Sequence, residues 1–264
     1  MSAHTPPAGG PALAVSVQDG VATLTIDNPA KRNAMTPDMW RRMPAVLERL
    51  AADPAVRVLV LTGGGGTFCA GADISALREG DEESRRLAVT AEETLAAFPR
   101  PTLAAVRGHC VGGGCQLAVA CDLRFAAEGA LFGITPAKLG IVYGASSTRR
   151  LVSLVGPATA KYLLFSGELI GTERALRAGL VDEVHPEGEL DGRVASFARL
   201  LVSRSQLTQA AAKEFANGTG AGPAPPERIA YWEERARESS ERAEGVAAFL
   251  ERRPPVFTWP LTDG

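Results

Sequence analysis

Residues 103–127 read LAAVRGHCVGGGCQLAVACDLRFAA. Their order predicts a strand at 103–107, a tight turn at 108–113, a short apolar helix at 114–120 and a strand at 122–126. Three consecutive glycines at the mouth of a helix remove every Cβ where the backbone must approach something closely. The first helical turn also leaves N–H donors and a partial positive charge facing outward. Such a mouth suits a phosphate, or the oxygen of a carbonyl acquiring negative charge. A strand-to-helix turn that holds nothing reads the same way, so a second stretch has to decide.

That stretch is GGGGTFCAGADISAL at 63–77. It follows a near-continuous apolar strand at 56–62, of the kind buried on both faces. No Lys-Ser/Thr follows the glycines, so it is not a phosphate-binding P-loop. No GxGxxG opens a helix either, which disfavours a dinucleotide site. Strand, glycine loop and helix therefore occur twice, with an amphipathic helix at 81–98 (Leu87, Ala91, Leu95, Phe98) between the two loops.

Upstream, strands at 12–18 and 21–26 flank Asp19-Gly20, a two-residue hairpin signal. Thr36 reads as an N-cap with Pro37 at the first helical position. Met39, Met43, Val46, Leu47 and Leu50 follow at helical spacing, and Pro44 inside that helix should kink it. Downstream come strands at 130–134 and 181–184 and helical segments at 146–154 and 158–166. Beyond Gly188 only helices are expected, at 190–203, 206–217 and 227–250, with NGTGAGPAPP at 217–226 as a linker. The last helix carries an apolar stripe of Ile229, Trp232, Ala236, Ala243, Ala247 and Leu250.

The 264 residues, 45% apolar and 22% charged, suit one sizeable globular domain, or one domain with a smaller appendage. A formal net charge of −2 gives no footing for nucleic acid or an anionic membrane surface. No apolar run reaches the roughly 18 residues that span a bilayer. The start lacks the pattern of a secretory signal, so residues 1–12 are expected to be a disordered tail. Cys69, Cys110, Cys115 and Cys121 form no CxxC pair, which argues for free buried thiols, a cytoplasmic protein and no metal site.

Together the residues resemble the crotonase superfamily of enoyl-CoA hydratases and isomerases. The matching pieces are NPAKRNA at 28–34, CAGADI at 69–74, residues 108–122, Phe132-Gly133, GTERALRAGLVDEV at 171–184 and AFLERR at 248–253. The resemblance implies the α/β crotonase/ClpP-like spiral of ββα repeats over 13–190. A helical C-terminal trimerisation region over 191–264 would complete it, with assembly as a homotrimer or dimer of trimers. It further implies an acyl-CoA substrate, a place in fatty-acid metabolism, and no permanently bound cofactor, coenzyme A arriving as part of the substrate. The Ala72 and Gly113 N–H groups would form the oxyanion hole for the thioester carbonyl. Lys31, Arg32, Ala34, Ala70, Asp73 and Ile74 would line the coenzyme path, and Arg253 would lie near the coenzyme of its own or an adjacent subunit.

The sequence departs from the family at two places. Hydratases of this family use two glutamates to position and activate water; here the corresponding residues are Gln116 and Pro136. Glutamine hydrogen-bonds but does not exchange a proton near neutral pH, and positioned acid–base groups commonly supply 10²–10⁴-fold each. Hydration of simple enoyl-CoAs is therefore not expected. The segment TPAKLGIVY at 135–143 resembles the loop of methylmalonyl-CoA-type decarboxylases, with Tyr143 at their tyrosine, although those enzymes carry histidine where Ala72 stands. In that reading Gln116 orients a carboxylate and Tyr143 supplies a proton. A tyrosine that merely ties its loop to a neighbour, and a binding protein without catalysis, are the other readings.

Overall fold

β1 (Ala12–Gln18) and β2 (Val21–Asp27) open the chain as an antiparallel pair closed by Gln18 opposite Val21. Asp19 and Gly20 both have positive φ, 50° and 82°, the backbone of the two-residue turn read from the sequence. The structure, a computed structural model, describes residues 10–73, 81–218 and 224–259. β2 pairs in parallel with β3 (Val58–Gly63), followed in the same sheet by β4 (Thr102–Val106), β6 (Leu123–Ala127) and β9 (Glu183–His185). A second, smaller sheet is built from β5 (His109–Val111), β7 (Leu131–Gly133) and β8 (Ile170–Gly171).

The two sheets explain the spiral. The chain leaves the large sheet at β4, turns at Gly108, crosses into the small sheet as β5 and enters α3 (Gly113–Ala120); it returns through β6 and crosses again as β7. The expected turn at 108–113 thus contains a strand. Cys110, fully buried, pairs with Phe132 on one side and bridges Cys69 on the other, and that burial stabilises an extended backbone there.

α1 (Pro37–Ala52) starts where Thr36 Oγ1 accepts the Met39 N–H at 3.2 Å, a cap that typically contributes about 1 kcal/mol. It runs through Pro44 to Ala52. α2 (Asp81–Ala96) packs against α1 and α3. α4 (Ala145–Ser166) is broken at Gly156, with φ 74° just before Pro157, matching the two separate segments expected. α5 (Thr172–Arg177), α6 (Leu190–Val202) and α7 (Gln206–Asn217) follow.

The single helix expected at 227–250 is two, α8 (Pro226–Glu238) and α9 (Glu241–Glu251). Ser239 is extended, and its hydroxyl accepts the Glu241 N–H at 3.0 Å. Serine side chains compete with the helix for backbone donors, and here that competition breaks the run.

β3 is buried on both faces as its sequence implies. Leu59 and Leu61 join the main core with α1 and α3, while Val58 and Val60 join Leu103, Phe125 and the α6 residues Leu190, Val194 and Ala198. No helix among the described residues is long and apolar enough to cross a membrane.

Candidate active site

The site begins with two backbone segments held side by side. Cys69 N–H donates to the His109 carbonyl at 2.8 Å, and Val111 N–H returns to the Cys69 carbonyl at 3.0 Å. This pairing binds the loop after β3 to β5. On the first loop, Met35 N–H donates to Gly71 O at 2.8 Å and Asp73 N–H to Met35 O at 2.9 Å, so the Ala72 N–H between them takes no partner among the described residues. On the second, Gly112 N–H donates to Gly133 O at 2.8 Å, and Gly113 opens α3 with its own N–H likewise unpaired. A Cβ placed on Gly113 would lie 3.6 Å from the Ala72 nitrogen. Two free donors therefore sit in adjoining loops, an arrangement that can hold an oxygen acquiring negative charge.

Glycine is required here for two distinct reasons. Gly112 has φ 54°, and a Cβ on Gly114 would stand 2.3 Å from the Cys69 carbonyl oxygen. The first is a backbone most residues avoid. The second is a contact no side chain can make.

A cavity opens in front of these donors, walled by Trp40, Pro136, Ile141, Val142 and Tyr143, with Gln116 on its inner side. Behind Gln116 lies a carboxylate that the sequence reading did not single out. Glu92, on α2, is fully buried; its Oε2 accepts from Gln116 Nε2 and from Ser147 Oγ, and its Oε1 accepts from Arg150. Gln116 Nε2 also lies 3.2 Å from Ser147 Oγ, and Arg150 reaches Glu93 at 3.1 Å. Burial raises the Glu92 pKa above its ordinary value, against the hydrogen bonds of Ser147 and Gln116 and the charge of Arg150, which pull it down. The signal was present: Glu92 falls in phase with Ala88, Ala91 and Leu95, a charge on the inward stripe of an amphipathic helix.

Tyr143 lines the cavity, and its hydroxyl has no hydrogen-bond partner among the described residues. Burial first, and then the nearby Cys115 and Glu92, hold its pKa well above 10. At neutral pH it is a phenol, a donor and not a base.

The sequence profile of the enoyl-CoA hydratase/isomerase family matches residues 16–260. The chain belongs to that family. The 2,3-dehydroadipyl-CoA hydratase of Escherichia coli (strain K12) is 37% identical, covering 93% of this chain and 98% of its own. Hydroxycinnamoyl-CoA hydratase-lyase of Pseudomonas fluorescens is 37% identical over 75% of each chain. A crystal structure of an enoyl-CoA hydratase/isomerase family member superposes with a TM-score of 0.88 at 38% identity, covering 94% of this chain and 97% of its own. A family protein from Hyphomonas neptunium gives a TM-score of 0.89 at 34% identity over the same shares. The spiral of strand–strand–helix turns is thus the crotonase fold, as its sequence implied.

Of the residues the family resemblance selected, Ala70, Ala72, Gly113, Gln116, Pro136 and Tyr143 meet at the cavity. Lys31, Arg32, Ala34 and Asp73 gather at the neighbouring loop: Lys31 pairs with Asp73 at 2.6 Å, and Ala70 N–H donates to Arg32 O at 3.0 Å. Asn33 ties that loop down, its Nδ2 donating to Gly64 O at 2.7 Å and Thr67 O at 2.6 Å. Ile74 lies outside the described residues. Arg253 is not brought to this cavity within the chain; it borders a second one beside Phe257, with its guanidinium on Glu244 at 2.6 and 2.8 Å and on Glu251 at 2.6 Å. Among the described residues no cluster of three or more His, Cys, Asp or Glu could hold a metal ion.

Proposed function

We propose that the protein acts on an acyl-CoA thioester whose carbonyl oxygen rests between the Ala72 and Gly113 N–H groups, where an enolate is stabilised. The observation that carries this reading is the pair of unpaired amides from two loops, meeting at a largely apolar cavity. Each such donor in a dry site is worth about 3 kcal/mol of transition-state stabilisation. Lys31, Arg32, Ala34, Ala70 and Asp73 flank the approach and would carry the coenzyme portion.

The relatives' names include hydration, and this chain's cavity argues against transferring it. Gln116 and Pro136 occupy the two positions where the resemblance places acid–base glutamates. Glu92, a carboxylate in contact with Gln116, stands behind it, already accepts from three side chains and does not line the cavity. The proton source that faces the cavity is the Tyr143 hydroxyl. A lyase that makes an enolate by breaking a carbon–carbon bond, and protonates it from Tyr143, fits these groups; breaking a carbon–hydrogen bond would need a base, and no carboxylate or histidine lines the cavity among the described residues.

Decarboxylation remains a second reading, favoured by the protonated Tyr143. Carbon dioxide would leave without its bonding electrons, the enolate would take the Tyr143 proton at carbon, and solvent would restore the phenol. Gln116 no longer fits the role of orienting a carboxylate, because its amide nitrogen is held by Glu92 and Ser147.

The test is incubation of the purified protein with crotonyl-CoA and a panel of malonyl-type CoA esters. Crotonyl-CoA hydration at about 10 s⁻¹ or more would overturn the reading of positions 116 and 136. Carbon dioxide release that vanishes in Tyr143→Phe would establish the decarboxylase. Micromolar binding without turnover would make the protein a CoA-ester carrier. For assembly we propose a homotrimer, because α9 leaves Val246, Phe249 and Leu250 exposed in the single chain.

A further inference from the structure

The cavity wall is neutral except at one place. Arg85, in the first turns of α2, is the one charged side chain that lines it among the described residues, and no carboxylate shares the wall. Arg85, Ala88 and Val89 fall at i, i+3 and i+4, so a single face of α2 meets the cavity. A Val89 methyl lies 3.5 Å from where a Cβ on Gly144 would stand, which sets this face against the loop that carries Tyr143. Glu92 continues the same face inward, to its contact with Gln116. Arg85 and Glu92 thus mark opposite ends of the face, about 10 Å apart along the helix axis. At its end Arg85 is exposed and has a contact of its own within the chain; a guanidinium carries five N–H donors and can hold a further partner.

A guanidinium at the end of a largely apolar cavity suits a carbon chain that ends in a carboxylate. Its planar fork matches the two oxygens, and apolar walls strengthen the pairing relative to open water. It does not suit a carboxylate that departs as carbon dioxide, because an ion pair stabilises the very anion that must be lost and so opposes the reaction. A carboxylate that stays is the better match. We propose that Arg85 is a specificity-determining residue that holds a retained carboxylate at the far end of the acyl group, so that the substrate is the coenzyme A thioester of a dicarboxylic acid. This rests on the acyl-CoA reading of the cavity.

The experiment measures affinities by titration calorimetry for glutaryl-, adipyl- and pimeloyl-CoA. Each is set against the monocarboxylic thioester with the same number of acyl carbons: pentanoyl-, hexanoyl- and heptanoyl-CoA. An apolar wall alone favours the monoacid, since a carboxylate resists leaving water. The wild type should instead bind the diacid thioester at least fivefold more tightly in one or more pairs, and high salt should shrink that preference. Arg85→Met should bring the ratio to one or below, and Arg85→Lys should keep part of the preference. Because the side chain is exposed, neither replacement disturbs the core. Free coenzyme A, titrated alongside, should bind all three proteins alike. If Arg85→Met weakens free coenzyme A and every thioester by the same factor, the guanidinium serves the coenzyme phosphates and the inference is overturned. A wild type that binds the monoacid thioester as well or better in every pair also overturns it, and leaves the acyl-CoA reading standing. If no thioester binds, the acyl-CoA reading fails and the inference falls with it.

Discussion

Gly114 packs its bare α-carbon against the Cys69 carbonyl, so closely that a Cβ would stand 2.3 Å from that oxygen. The contact lies between the loop that carries Ala72 and the helix that carries Gly113, and it sets how near those two amides can come. Gly114→Ala must therefore push α3 away from the first loop. The expected cost is about 1–3 kcal/mol in urea unfolding, as for other overpacked sites. Turnover on the natural thioester should fall by roughly a hundredfold, more than any loss of affinity for free coenzyme A.

Asn33 offers a test of the coenzyme loop. Its side chain donates to Gly64 and Thr67, accepts the Asn28 N–H at 2.8 Å, and its backbone has φ 58°. Asn33→Ala leaves two part-buried carbonyls and a buried N–H without their Asn33 partners, in a backbone that alanine avoids. Destabilisation on the order of 2 kcal/mol or more is expected, measured by denaturant midpoint. Coenzyme A affinity should weaken as well, because Lys31 and Arg32 sit on the segment that Asn33 anchors.

Tyr143→Phe separates chemistry from architecture. The hydroxyl has no protein partner among the described residues, so the thermal midpoint should stay nearly unchanged. Turnover should drop by about 10²–10⁴-fold with KM little altered, the pattern of a lost proton donor. With its pKa held well above 10 by burial, Tyr143 should contribute no titration to the rate profile between neutral and mildly alkaline pH.

The C-terminal segment should respond to acid. Hydrogen bonds from Arg253 first, and then from the Val256 N–H, hold the Glu244 carboxyl down from its ordinary 4.5 to about 2. A depressed carboxylate pKa favours the folded state above the unfolded pKa, and that contribution disappears as pH falls from 4.5 toward 2. Trp259, whose N–H donates to Glu241 at 2.9 Å and whose ring lies 6.1 Å from Trp232, reports on the segment. Its fluorescence should change over that window, and Glu244→Gln should remove the pH dependence. High salt should weaken the effect, since these groups are exposed to solvent.

Local patterns in the sequence carried much of the fold. Asp19-Gly20 and Thr36 with Pro37 have a chemistry that works within a few residues, and each is found as read; the separate helical segments at 146–154 and 158–166 are found as well, parted at Gly156. β5 was hidden because its reason is tertiary: Cys110 is extended only because Cys69 and Phe132 flank it. The break at Ser239 was masked by an apolar stripe that continues in phase across it. At the site, the glycine loops were legible because missing side chains announce close approach. Glu92 showed in the sequence only as a charge on the inward stripe of α2; its meaning comes from Gln116, Ser147 and Arg150, residues 24 to 58 positions away that only folding brings together.

Two main-chain amides holding the thioester oxygen underlie all of the proposed chemistry. A crystal structure with a slowly reacting acyl-CoA bound would show whether they do. The thioester oxygen is expected about 3 Å from both the Ala72 and Gly113 nitrogens, with the acyl chain running past Gln116 toward Tyr143. A thioester seated with that oxygen on solvent or on a side chain, and the two amides left empty, would contradict it.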